Sequence, residues 1–320
     1  MAANAEKDGA DAKKLLSPTT RAKLHAWWEG YAYAHEKKTA PPPPAVDAKH
    51  PDPIEPALTG RVLINEPWPR ERIKVAQLIW GDGFTFPGAS DFVLELAAPL
   101  QLGPDAIALD LGCGLGAGTR ALAGATNAWL EGYDLSQELA QAGAVLSRAS
   151  GMEKRAAIGF LDAIDGSFKP KRYDGVLARN VFSLISDKPK FLQRLVHGMK
   201  PGARLVVFDW AIARADAHGE ALDAYRIGEA TAPRLSTLPQ FAGQLEAAGM
   251  VVEASDDITD AFAALVLAGW AKIDTLVARG QLDVAEGKAL MAEAQLWARR
   301  LAALGGGDLR AARFAASKKP

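Results

Sequence analysis

Asp110, Gly112, Gly114 and Gly116 alternate in the stretch AIALDLGCGLGAGT, Ala106 to Thr119. Apolar residues lead into Asp110, three glycines follow at every second position, and a helical segment comes next. Glycine has no Cβ, so the backbone can turn tightly there and a ligand can lie against bare peptide. Amides at the helix start attract an electron-rich group such as a carboxylate or phosphate. The chemistry this supports is the binding of a small charged ligand. Asp134 closes the next strand-like run, Ala128 to Tyr133. It lies about 20 residues past the loop, where an acidic residue meets a ribose diol. That carboxylate suits either a dinucleotide or another nucleoside cofactor. A dinucleotide site wants G-x-G-x-x-G, whereas the glycines here run G-x-G-x-G.

The elements that must hold these residues alternate regularly. Strands are expected at 128–134, 156–161, 173–178, 204–209 and 251–254, with helices at 136–150, 188–199 and 238–248. Lys200-Pro201-Gly202 is a turn by composition. Such a βαβα rhythm gives a parallel sheet covered on both faces, with ligands bound beyond the carboxyl ends of its strands. Asp110, Asp134, Asp162 and Asn180 all fall at or just past those ends. The fold class expected is therefore α/β.

Length and composition fit one large soluble unit. The chain has 320 residues, 49% hydrophobic and 23% charged, with a formal net charge of -1. That charge gives no electrostatic case for nucleic acid. No apolar run reaches the roughly 20 residues that span a bilayer, and the first residues lack the apolar core of a secretory signal. Cys113 is the sole cysteine, which excludes intrachain disulfides and a cysteine metal cluster; no metal site is expected. A cytoplasmic protein is the expectation.

Residues 1–60 read as an N-terminal extension. A disordered tail to residue 16 is followed by an aromatic segment at 17–38, with Ser17 as N-cap and Trp27, Trp28, Tyr31 and Tyr33 close together. That segment suits contact with a protein or a membrane surface, or a helix folded back on its own domain. Seven prolines between 41 and 56 make a stiff linker. The domain proper is expected at 61–320: helices over 70–100, a core at 104–258, a helical insertion at 260–304 and a last strand at 308–317. WGDGFTFPGA, Trp80 to Ala89, is a glycine-rich aromatic loop that suits a lid or core filling.

From Arg61 to Lys319 the chain resembles class I S-adenosylmethionine-dependent methyltransferases, nearest the phosphoethanolamine and glycine/sarcosine N-methyltransferase branch. WGDGFTFPGA, ALDLGCGLGAGT, LARNVFSLISDKP (Leu177 to Pro189) and the KPG turn with RLVVFDW (Lys200 to Trp210) carry the resemblance. WWEGY is similar to a run in a bacterial group of methyltransferases. The resemblance implies a Rossmann-like, seven-stranded, mostly parallel sheet with its last strand antiparallel. It also implies S-adenosyl-L-methionine as cofactor and S-adenosyl-L-homocysteine as product. Cofactor contacts are then expected from Asp110, Gly112, Cys113, Gly114, Gly116, Asp134, Leu135, Asp162, Ala163, Arg179 and Asn180. Within them, Asp134 would take the ribose hydroxyls and Asp162 the adenine amine.

The sequence departs from that branch where a Tyr, an Asp and a His handle protons; Phe84, Asn180 and Leu184 stand there instead. None of these is a general base. Phosphoethanolamine is therefore not the expected acceptor. Asn180, Arg179 and Asp209 remain as candidate catalytic groups. Trp80, Phe84, Phe86, Phe182 and Trp210 suggest an apolar or cation-binding pocket. The expected function is methylation of a small molecule on N, O or C. The alternative is a catalytically degenerate S-adenosylmethionine-binding protein that acts through a partner.

Overall fold

The computed structural model describes residues 15–20, 22–23, 67–162, 166–278 and 282–320. Among these, seven strands build one sheet: β1 (Ile107–Leu111), β2 (Trp129–Asp134), β3 (Ala156–Phe160), β4 (Tyr173–Arg179), β5 (Met199–Ile212), β6 (Met250–Asp257) and β7 (Leu309–Lys318). Their spatial order is β3-β2-β1-β4-β5-β7-β6. The first five pair in parallel, and β7 runs antiparallel between β5 and β6. This is the seven-stranded, mostly parallel sheet that the family resemblance implied. Strand order turns back where β1 lies between β2 and β4, which opens a crevice at the carboxyl ends.

Alternation along the strands divides the core into two layers. Ala108, Val206 and Phe208 face a cluster built with α1 (Arg70–Trp80), α2 (Ala89–Ala97), α3 (Ala117–Thr126), α8 (Thr259–Trp270) and α10 (Val284–Gly305). Leu109, Leu111, Leu205 and Val207 face the other cluster, covered by α5 (Lys188–Gly198) and α7 (Leu238–Ala247). α4 (Gln137–Ala149) starts at Ser136, whose hydroxyl accepts from Leu139 N. α10 runs for 22 residues from a capping box in which Asp283 and Glu286 satisfy each other's backbone amides.

Four features differ from the sequence expectation. The Lys200–Gly202 turn is a bulge inside β5, which begins at Met199. α6 (Glu220–Gly228) fills the stretch after β5, where no helix was anticipated. The insertion, whose spacing predicts two helical runs split near Gly280, holds three helices: α8, the short α9 (Ile273–Ala278) and α10. Residues 15 and 16 belong to the core: Leu15 is 8% and Leu16 3% exposed. Ser17 N donates to Asp274 Oδ1 at 3.2 Å, and Ser17 Oγ caps the turn by accepting from Thr20 N. The aromatic run from Leu24 onward and the proline linker lie outside the described residues.

Against the expectation that no apolar run reaches a membrane span, Thr259–Ala278 is 20 residues long with a mean hydropathy of 1.6, enough by length and composition to cross one. The run is broken into α8 and α9, and Phe262, Val266 and Trp270 turn inward to the core.

Candidate active site

The glycine loop leaves β1 and is fastened to β2. Gly112 N and Cys113 N both donate to Tyr133 O, at 2.8 and 3.2 Å. Gly114 N donates to Asp134 Oδ2 at 2.7 Å, and Ser136 N donates to Asp134 Oδ1 at 2.8 Å. Gly112, Gly114 and Gly116 all have positive φ, between 57° and 77°. A Cβ on Gly112 would stand 2.0 Å from the Arg179 carbonyl oxygen, so only glycine fits against the end of β4.

Asp110 has a different task from its glycine neighbours. It is fully buried and accepts from Thr119 Oγ1 at 2.6 Å. Arg179 reaches it with Nη2 at 2.8 and 3.0 Å and with Nε at 3.2 Å. This forked pair ties β1, α3 and β4 together below the loop. Cys113 is buried too. Burial pushes its thiol well up, and the charges of Asp134 and Asp110 add to that. A thiol held protonated in this way is a poor nucleophile.

Past β4, Asn180 takes a left-handed φ of 59°, a conformation that asparagine tolerates. Its N donates to Phe208 O at 2.8 Å. The following turn, Phe182–Leu184, is anchored by Asp209, which accepts from the backbone amides of Val181, Phe182, Ser183 and Trp210. Burial pushes the Asp209 carboxyl up, and these hydrogen bonds oppose the shift. Asp209 therefore fixes the turn beside the site and does not line it.

These pieces meet in one cleft that is open to solvent on one side. The loop half is lined by Gly112, Gly114, Asp134, Leu135, Ser136 and Leu139, with Arg179 and Asn180 beside them. The opposite half is lined by Trp68, Arg72, Phe86, Glu293, Trp297 and Arg300, and Thr85, Val181 and Leu184 complete the wall.

Of the residues expected at the cofactor, Asp110, Cys113, Gly116 and Asp162 do not line this cleft, and Ala163 lies outside the described residues. Of the expected pocket aromatics only Phe86 lines it. Trp80 packs edge-on against Trp270 and Trp297. Phe182 packs on Phe191 and Phe241 in the opposite core layer. Trp210 meets Phe262 and Tyr225 in the core, and Phe84 packs against the same layer.

The opposite half was not anticipated from sequence. Glu293, Trp297 and Arg300 stand at i, i+4 and i+7 on α10, one face of a helix. Arg72 Nε donates to Glu293 Oε1 at 2.6 Å, and the Arg72 guanidinium lies 3.9 Å over the Trp68 ring. Arg300 forks onto Glu229 at 2.8 and 2.7 Å and lies 4.6 Å from the Trp297 ring centre. These pairs brace α10 against α1 and against the end of α6. No group of His, Cys, Asp and Glu among the described residues could hold a metal ion.

Residues 109–205 match the family model described as a methyltransferase domain. Phosphoethanolamine N-methyltransferase 3 of Arabidopsis thaliana is 26% identical over 150 residues, 47% of this chain and 30% of that protein. The chloroplastic tocopherol O-methyltransferase of the same plant is 32% identical over 114 residues, 36% of this chain and 33% of that protein. The match thus spans about a third of the length of these relatives. Among solved structures, phosphoethanolamine N-methyltransferase 2 of Haemonchus contortus superposes with a TM-score of 0.67 at 21% identity. That superposition covers 78% of this chain and 57% of that one, which was solved with phosphomonomethylethanolamine and S-adenosylhomocysteine. Residues 109–205 thus match a methyltransferase domain, and the chain has the Rossmann-like fold seen in these solved methyltransferases.

Proposed function

We propose that the protein transfers a methyl group from S-adenosyl-L-methionine to a small molecule. The observation that carries this is the joint placement of the Gly112–Gly114 backbone and the Asp134 carboxylate on one cleft at the carboxyl edge of the sheet. The residues present fit the cofactor. Asp134 is an acceptor-only carboxylate of the kind that meets a ribose diol, and the loop glycines present bare backbone beside it. When bound, the cofactor supplies a sulfonium methyl group that is already activated for in-line displacement. What remains for the protein is alignment of an incoming lone pair at roughly 3–3.5 Å. Asn180, on its fixed turn, and the α10 face would hold the two partners in line.

Such a mechanism needs no strong base, so Phe84 and Leu184 are compatible with turnover. Incubation with methyl-labelled cofactor and a panel of amines, phenols, acids and alkenes tests the reading. The expected result is label in an acceptor, with one S-adenosylhomocysteine released per transfer. Tight cofactor binding with no release across the panel would favour a cofactor-binding protein that acts through a partner.

A further inference from the structure

α8 is apolar on every side: from Ala261 to Trp270 it carries no charged side chain. Its inner face is accounted for. Phe262, Val266 and Trp270 are buried, and Phe262 stacks on the cleft-lining Phe86 with ring centres 5.4 Å apart. The outer face is uncovered among the described residues. Ala261, Ala264, Leu267 and Ala268 are exposed, Leu267 by 50%, and at helical spacing they share one side of the helix. A helix that is apolar all round is normally buried all round. The chain itself supplies an occupant. Leu15 and Leu16 enter the core layer that α8 belongs to, and Ser17 N donates to Asp274 of α9, just past the end of α8. Residues 18–20 and 22–23 are helical. The sequence continues with Leu24, Trp27, Trp28 and Tyr31, at i, i+3, i+4 and i+7, an apolar stripe that needs a partner of its own. The chain returns at Pro67, whose carbonyl accepts from Arg72 Nη1 of α1, and α1 ends at Trp80, edge-on to Trp270 of α8.

We propose that residues 24–33 of this chain dock on the outer face of α8, behind the aromatic wall of the cleft. The chain leaves the described core beside α9 and re-enters it on α1, so both ends of the intervening stretch lie next to α8. A second copy of the protein would have to compete with a tethered segment whose effective concentration is on the order of millimolar. A bilayer surface is the poorer match: Asp260 and Lys272 border the face with one charge of each sign, which makes no basic rim for anionic lipid.

Two measurements on the full chain test this. In Leu267→Cys a bulky maleimide is expected to react at least about tenfold more slowly than in Val145→Cys, an exposed site on α4, because docked tryptophans each bury roughly 150–250 Å². Adding Trp27→Ser, Trp28→Ser, Tyr31→Ser and Tyr33→Ser should raise the Leu267→Cys rate to that of Val145→Cys. The native Cys113 is buried, and its own rate is read in the wild type. The second measurement leaves residues 24–33 intact. Chymotrypsin should cut slowly after Trp27, Trp28, Tyr31 and Tyr33 in the wild type, and at least about tenfold faster in Leu267→Glu, which sets a charge on the face. The proposal is overturned by a Leu267→Cys that reacts as fast as Val145→Cys in the otherwise native chain, by one that stays slow after the four serine substitutions, or by equal cleavage of wild type and Leu267→Glu. A dimer in sedimentation that Leu267→Glu dissolves would put a second copy on the face. Flotation with phosphatidylglycerol vesicles that the same variant loses would put a bilayer there. Either result also overturns the proposal.

Discussion

Gly112 shows how a single missing atom shapes the site. Its φ of 71° already disfavours a side chain, and a Cβ would lie 2.0 Å from a carbonyl oxygen of β4. Gly151 has nearly the same φ, 68°, but open space around it. Gly151→Ala is expected to cost only the left-handed penalty of about 1–2 kcal/mol. Gly112→Ala adds the clash, so its thermal midpoint should fall well below that of Gly151→Ala and its cofactor affinity should drop. Equal midpoints would mean that the loop shifts freely and the cradle is not fixed by β4. Residue types alone pointed to Gly112, Gly114 and Asp134, which line the cleft, because glycine and carboxylate requirements are local. They did not separate Asp110 and Asp209 from Asp134. All three close a strand or sit near its end, and only the pairing with Arg179 and with the 181–183 amides shows that two of them are structural.

Individual elements are joined by charge pairs whose pH response is predictable. Glu131 on β2 accepts from Arg172 and from Tyr173 Oη, the latter at 2.8 Å. Burial pushes its carboxyl up, but the hydrogen bonds from Arg172 and Tyr173 outweigh this and hold it below the usual value. A carboxyl depressed in the folded state contributes stability above the unfolded pKa of about 4.3 and loses it as pH falls through the lower folded value. Urea unfolding should therefore show an acid limb below about pH 4–5 that flattens in Glu131→Gln. An unchanged acid limb would mean that the β2–β4 tie does not contribute there.

β1, β2 and β4 were legible because each is a short, mostly apolar run between turn residues. α6 was not, because its nine residues carry only a brief apolar pattern, with Leu222 and Tyr225 buried. The α10 half of the cleft was hidden for another reason. Arg72 and Glu293 are 221 positions apart, so no spacing in the sequence announces their contact. The i, i+4, i+7 pattern of Glu293, Trp297 and Arg300 was visible, yet in an alanine- and leucine-rich stretch it reads as an ordinary helix face.

Across the whole molecule, the two ends of the sequence meet around one core layer. Leu15 and Leu16 join a cluster that also holds α8, α9 and α10, some 250 residues away. The segment expected to be a loose tail is thus part of the fold at these positions. Leu16→Ala should destabilise by about 2 kcal/mol or more, the usual cost of emptying a buried leucine site, and removal of residues 1–23 should lower the thermal midpoint further. A truncated chain that melts with the full-length protein would show that the segment adds nothing to the core.

The central claim is that the Asp134 cleft binds S-adenosylmethionine. The most direct measurement is calorimetric titration of S-adenosylmethionine and S-adenosylhomocysteine into the wild type and Asp134→Ala. Loss of hydrogen bonds to a charged group costs about 1.5–3 kcal/mol, so the variant should bind roughly 10- to 100-fold more weakly. Absence of binding to the wild type, or equal binding to both proteins, would contradict the account.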